Sequence, residues 1–118
     1  MKVYILDVQS KIREQMLKWL SENKKIDETE VFEDYARLIE RVRKSPPDFC
    51  FIRLGKDGIP GLKAAGTVQQ ASSDIRIVFV SDDSNYAVDA YEVGAHGYLT
   101  SPLKKEKLNK CLAIKSMQ

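Results

Sequence analysis

Four stretches of this chain place a polar or charged group directly after an apolar run: Asp7-Val8-Gln9, Arg53-Leu54, Ser81-Asp82 and Thr100-Ser101-Pro102. A carboxylate there could ligate a hard cation or accept from a guanidinium. An arginine could hold an anion or neutralise a carboxylate. A serine hydroxyl could do either in part, as donor and acceptor. The remaining reactive side chains carry less. Cys50 lies inside an apolar run and Cys111 in a helical pattern, so both read as small buried hydrophobes rather than a disulfide or metal pair. His96 is the only histidine and reads as a loop residue beside Gly94 and Gly97. Asp82 and Asp83 suit the cap or approach of a following helix.

The elements that would position these groups follow from periodicity. Residues 3–8 form a short apolar run, a buried strand. Ser10 suits the cap of a helix through Asn23, with Ile12, Met16, Trp19 and Leu20 on one face. Residues 29–32 make a brief strand. Asp34 caps the next helix, whose stripe is Leu38, Ile39 and Val42, and Ser45-Pro46-Pro47 stops it. Residues 49–54 predict a central strand, and Gly55-Lys56-Asp57-Gly58 a turn. Pro60 suits the first position of a helix through about Ala71, weakened by Gly66 and Thr67. Residues 75–80 are β-branched and continuous, the pattern of a strand covered on both faces. Ser84 caps a helix carrying Ala87, Ala90, Tyr91 and Val93, ended by Gly94. Residues 97–100 form a fifth strand. A last helix runs from Leu103 to about Met117, with Leu108, Cys111 and Leu112 inward.

Five strands alternating with five helices predict an α/β domain: a doubly wound, five-stranded parallel sheet with helices on both faces. A length of 118 residues suits one domain spanning the chain, and 43% hydrophobic with 31% charged residues excludes a disordered class. A net charge of +2 is too mild to argue for a nucleic-acid or membrane partner. No apolar run approaches the roughly 20 residues of a membrane helix, and residues 1–6 are too short for a signal peptide. A cytoplasmic location is the expectation. No Gly-x-Gly-x-x-Gly follows the first strand, where Gln9-Ser10-Lys11 stands, so nucleotide binding has no support. In such sheets ligands bind outside the carboxyl ends of the strands, where strand order reverses. That is where the four polar stretches fall.

The stretch from Tyr86 to Leu99 (YAVDAYEVGAHGYL) resembles the fourth helix and fifth strand of response-regulator receiver domains, in particular those of LytTR-type regulators. Ile5-Leu6-Asp7, Asp48-Phe49-Cys50-Phe51-Ile52 and Ile59-Pro60-Gly61-Leu62 resemble other family segments in the same order. The resemblance covers essentially the whole chain and implies the flavodoxin-like strand order 2-1-3-4-5. It also implies roles. Asp7 matches the first of two metal-holding acidic residues, and Val8 stands at the second. Arg53 stands at the phosphoacceptor aspartate. Ser81 matches the switch hydroxyl, Ser101 stands at the lysine before Pro102, and Tyr98 matches the switch aromatic. Three of these pocket positions are replaced, so the phosphorylation pocket reads as degenerate, with Mg²⁺ binding lost and no catalytic residue.

Two fates are open to Arg53: an internal ion pair with Asp7, or a swing into solvent. Asp57 is in the wrong register to take the phosphoryl group. Tyr98, with no phosphoryl group to anchor Ser81, is expected to be set by packing alone. The resemblance further implies a protein partner, including a homodimer, at the surface of the fourth helix, fifth strand and fifth helix. Tyr86, Asp89, Tyr91, Glu92, Tyr98, Lys104, Lys105 and Lys107 would form it. The function expected is a pseudo-receiver signalling module, not an enzyme and not a direct nucleic-acid binder. The alternative is a working phosphorelay receiver with an unusual acceptor. The chain stops at Gln118, as a receiver cut from a longer DNA-binding regulator or a stand-alone protein would.

Overall fold

Side-chain alternation along the first strand sorts the core into two layers. In β1 (Lys2–Leu6), Val3 and Ile5 point to one side of the sheet, and Tyr4 and Leu6 to the other. The same alternation runs through β3 (Phe49–Arg53) and β4 (Arg76–Ser81), which are apolar on both sides and flanked on both edges by other strands. The computed structural model describes residues 1–55 and 60–113. Its other elements are α1 (Ser10–Ser21), β2 (Glu28–Phe32), α2 (Tyr35–Lys44), α3 (Gly61–Ala71), α4 (Ala87–Glu92), β5 (Gly97–Thr100) and α5 (Lys105–Leu112). A single 3₁₀ turn, Ser84–Tyr86, leads into α4.

The sheet is parallel throughout and ordered β2-β1-β3-β4-β5, as expected from the sequence. Met16 and Leu20 of α1 and Leu108, Cys111 and Leu112 of α5 cover one face with Phe49, Phe51, Val78 and Val80. Leu38 and Val42 of α2, Ala64 and Val68 of α3 and Ala90 of α4 cover the other with Cys50, Ile52, Ile77 and Phe79. Chain direction therefore switches between β1 and β3, and the crevice opens at their carboxyl ends.

The element ends differ from the sequence reading by a residue or two, for local reasons. Ser10 is the first helical residue of α1, not its cap. Gln9 occupies the cap in extended conformation, its N–H donating to the Asp7 carboxylate at 2.9 Å. Asp83, not Ser84, caps the turn before α4, its carboxylate accepting from the Asn85 N–H at 2.8 Å. Pro60 precedes α3 rather than opening it. α5 begins at Lys105, with Leu103 a buried anchor before it; the expected end near Met117 lies outside the described residues. Asp34 caps α2 as expected, accepting from the Ala36 N–H at 2.9 Å.

Two glycines of α3 meet opposite surroundings. A Cβ on Gly61 would lie 2.5 Å from the Arg53 carbonyl oxygen, whereas one on Gly66 would meet nothing within 4 Å. Gly66→Ala is expected to stabilise the fold by about 0.5–1 kcal/mol through reduced backbone entropy. Gly61→Ala is expected to destabilise it, because a main-chain oxygen must shift. Urea midpoints moving in the same direction for both variants would refute this contrast.

Candidate functional site

Arg53 is the last residue of β3, the central strand, and shares the side-chain direction of Phe49 and Phe51. The β1–β3 register pairs Leu6 with Ile52, so Asp7 emerges beside Arg53. The two side chains meet face to face. Arg53 Nε donates to Asp7 Oδ1 at 3.1 Å and Nη2 to Oδ2 at 3.0 Å. Both residues are 1% exposed. The Gln9 N–H adds a third donor to Oδ1. A planar fork on a carboxylate is the strongest geometry available to an arginine, and burial removes the water that would compete.

Asp82 takes the outer side of the guanidinium, with Oδ1 3.5 Å from Arg53 Nη1. Its carboxyl is held below the usual range, first by the Ser101 hydroxyl, then by the Gln9 side-chain amide at 3.3 Å, and more weakly by Arg53. The Ser101 hydroxyl oxygen is buried and completes no hydrogen bond of ordinary geometry among the described residues, so its influence on Asp82 is one of proximity rather than a well-aligned bond. The Ser101–Pro102 peptide bond is cis. Val8 is 40% exposed at the rim. A cavity of about 290 Å³ adjoins the pair, lined by Arg53, Leu54, Gly55, Ser81, Asp82, Asp83 and Tyr86.

Ser81 and Tyr98 meet on the opposite side of the sheet end. The Ser81 hydroxyl accepts the Asp83 N–H at 3.1 Å, and the Tyr98 hydroxyl donates to the Asp83 carbonyl oxygen. Packing alone therefore does not set Tyr98: a main-chain acceptor holds its hydroxyl. Burial pushes the Tyr98 phenol up, opposed by the Ser81 hydroxyl.

The structure thus gathers Asp7, Arg53, Ser81, Ser101 and Tyr98 at one end of the sheet, and adds Asp82, which the sequence assigns to the cap or approach of the fourth helix. Asp57 lies outside the described residues. The other surface divides. Tyr91 is exposed, with Asp89, Glu92, Lys104 and Lys107, while Tyr86 is half-buried against the α2–α3–α4 layer. Lys105 turns toward α1, 3.3 Å from the Glu22 carboxylate, and so leaves the group expected with α4.

The receiver pattern asks the site to hold Mg²⁺, and the residues present do not fit it. The one matching carboxylate, Asp7, is enclosed by three protein donors, and Val8 offers no oxygen side chain. Among the described residues no three carboxylate, histidine or cysteine side chains gather in metal-binding geometry.

The response regulator receiver domain model matches residues 3–113, and the chain belongs to that family. It is 26% identical over 112 residues to the sensory transduction protein LytR of Staphylococcus epidermidis, covering 95% of this chain and 44% of that protein. It is 30% identical over 112 residues to the transcriptional regulatory protein BtsR of Escherichia coli, covering 95% and 46%. The chain spans about half the length of the curated relatives it matches. Among solved structures it is similar to the chemotaxis protein CheY4 of Vibrio cholerae, with a TM-score of 0.81 at 22% identity over 94% of each chain. The response regulatory domain of mrkE from Klebsiella pneumoniae gives 0.81 at 23%, over 95% and 92%. Family members are signalling modules that bind partner proteins. Among the described residues no helix is long and apolar enough to cross a membrane.

Removing one partner of the buried pair leaves an uncompensated charge. Arg53→Met is expected to cost about 3–5 kcal/mol of stability. Asp7→Leu combined with Arg53→Met should recover most of that loss, because two apolar groups need no neutralisation. Urea denaturation of the two single variants and the double variant measures the coupling. Additive losses would contradict the pair.

Proposed function

We propose that this receiver domain is a pseudo-receiver: a signalling module that is not phosphorylated and works through protein–protein contacts. The observation that carries this is the bidentate Arg53–Asp7 pair at 3.0 and 3.1 Å. Arg53 stands where the family attaches a phosphoryl group, and a guanidinium is neither a carboxylate nor a useful nucleophile. It also occupies Asp7, the carboxylate that would help hold Mg²⁺. Phosphoryl transfer depends on positioned metal and charge to stabilise its transition state, and Val8 and Ser101 stand where the family places a second acidic residue and a lysine. The module needs no cofactor and no enzymatic activity on this reading, and acts in the cytoplasm without touching nucleic acid itself.

Incubation with acetyl phosphate and Mg²⁺, followed by intact mass measurement, tests this. The expected result is an unchanged mass. A gain of one phosphoryl group, stable or transient, would overturn it.

The partner surface is the face of α4, β5 and α5. Val88 is 68% exposed and Tyr91 54%, one helical turn apart. Exposed acidic residues Asp89 and Glu92 lie on α4, and exposed Lys104 and Lys107 at the start of α5. Opposite charge on neighbouring helices is self-complementary across a two-fold axis, which favours a second copy of the chain. Sedimentation velocity at low and high salt checks this: a dimer that weakens as salt rises is expected. A monomer under both conditions contradicts the second copy as partner.

A further inference from the structure

The junction between α4 and β5 is held by a side chain in a place where a parallel ladder ordinarily uses main chain. Gly94 ends α4 with φ +89°, and the chain turns through Ala95 into β5. The His96 N–H donates to the Ile77 carbonyl at 2.8 Å. The Ile77 N–H, on β4, donates in return to His96 Nδ1 at 3.1 Å. His96 therefore closes both main-chain groups of Ile77, one with its backbone and one with its ring. An imidazole nitrogen that accepts must be bare, so the proton of the neutral ring sits on Nε2. Protonation would turn Nδ1 into a donor facing a donor.

The surroundings disfavour the cation. Arg76 on β4 acts on the imidazole with like charge, and its guanidinium is held 4.2 Å over the Phe49 ring. On α4, the nearest acidic residues in sequence, Asp89 and Glu92, are exposed. α3 contributes the uncharged Gln69 amide, which donates to the Gly94 carbonyl at 3.3 Å. α5 contributes the Cys111 thiol beneath Gly97, kept protonated by burial.

We propose that His96 is a proton-operated latch: neutral, it pins the start of β5 to β4, and protonated, it releases the Ile77 amide and loosens the segment joining α4 to β5. The inference is independent of the phosphorylation pocket, because it involves none of its residues. Burial, then Arg76, hold the His96 pKa below its ordinary value of about 6.5. A lowered histidine contributes stability that is complete above the unfolded value and is lost as pH falls through the folded one. The latch opens on acidification, and what it frees is the end of the helix that carries Val88 and Tyr91.

Nuclear magnetic resonance on the whole chain tests this. At neutral pH the His96 ring is expected to show a bare Nδ1 and a protonated Nε2. Its titration midpoint should fall below about 6.5, and the protection of the Ile77 amide against hydrogen exchange should drop about tenfold or more at that midpoint. In His96→Asn, whose Oδ1 can occupy the acceptor position without titrating, Ile77 protection should stay level over the same range. Ile77 protection that ignores the His96 titration in the unmodified chain would overturn the latch. So would an equal drop in the asparagine variant.

Discussion

A guanidinium buried at the end of a central parallel strand must be neutralised inside the protein, and the polar end of this sheet is arranged around that requirement. Arg53 is among the largest fully buried side chains of the described residues. An isolated charge at that depth would be prohibitive, and the attraction to a well-placed carboxylate offsets the cost only when the geometry is good and the remaining lone pairs are filled. Asp7 meets both conditions, with two bonds from Arg53 and a third from Gln9. The same third bond holds Gln9 in the extended conformation from which α1 begins. The ion pair and the first helix are therefore joined through one carboxylate.

The switch-like residues beside the pair are held through the main chain of Asp83. Asp82 and Asp83 are adjacent in the chain but face different neighbours. Asp82 lies against Arg53, Gln9 and Ser101, while the Asp83 peptide is held at its N–H by Ser81 and at its carbonyl by Tyr98. In a receiver whose acceptor aspartate is intact, the serine would answer to a phosphoryl group. Here the Arg53 guanidinium stands in that region and the Ser81 hydroxyl accepts from the Asp83 N–H. On the proposed reading, a surface set by folding rather than by a transient anion suits a module whose partners bind constitutively.

Much of the fold was legible because burial leaves periodic marks. Continuous apolar runs marked β3 and β4, and the stripe Leu38, Ile39 and Val42 marked the buried face of α2. Strand order came from the family resemblance. The helix starts were less legible because caps depend on particular hydrogen bonds: Gln9 to Asp7 moved one, and Asp83 to Asn85 moved another. At the site, the Arg53–Asp7 pair was one of two outcomes open to Arg53, and burial at 1% exposure decides for it. Asp82 was not, because only the β3–β4 register brings it to Arg53 across 29 positions of sequence. The bonds that hold Tyr98 and His96 were not legible, for a shared reason. Each is held by a main-chain group, and side-chain patterns do not encode where carbonyls and amides point.

The central claim is that a protein cation fills the place a metal would need. Paramagnetic broadening of amide resonances by Mn²⁺, a stand-in for Mg²⁺, tests it most directly. With Arg53 paired to Asp7, the amides of Asp7, Gln9 and Arg53 should broaden no more than those of other surface-adjacent residues as Mn²⁺ is added. Selective loss of those three signals at low Mn²⁺ would show a working cation site and contradict the claim.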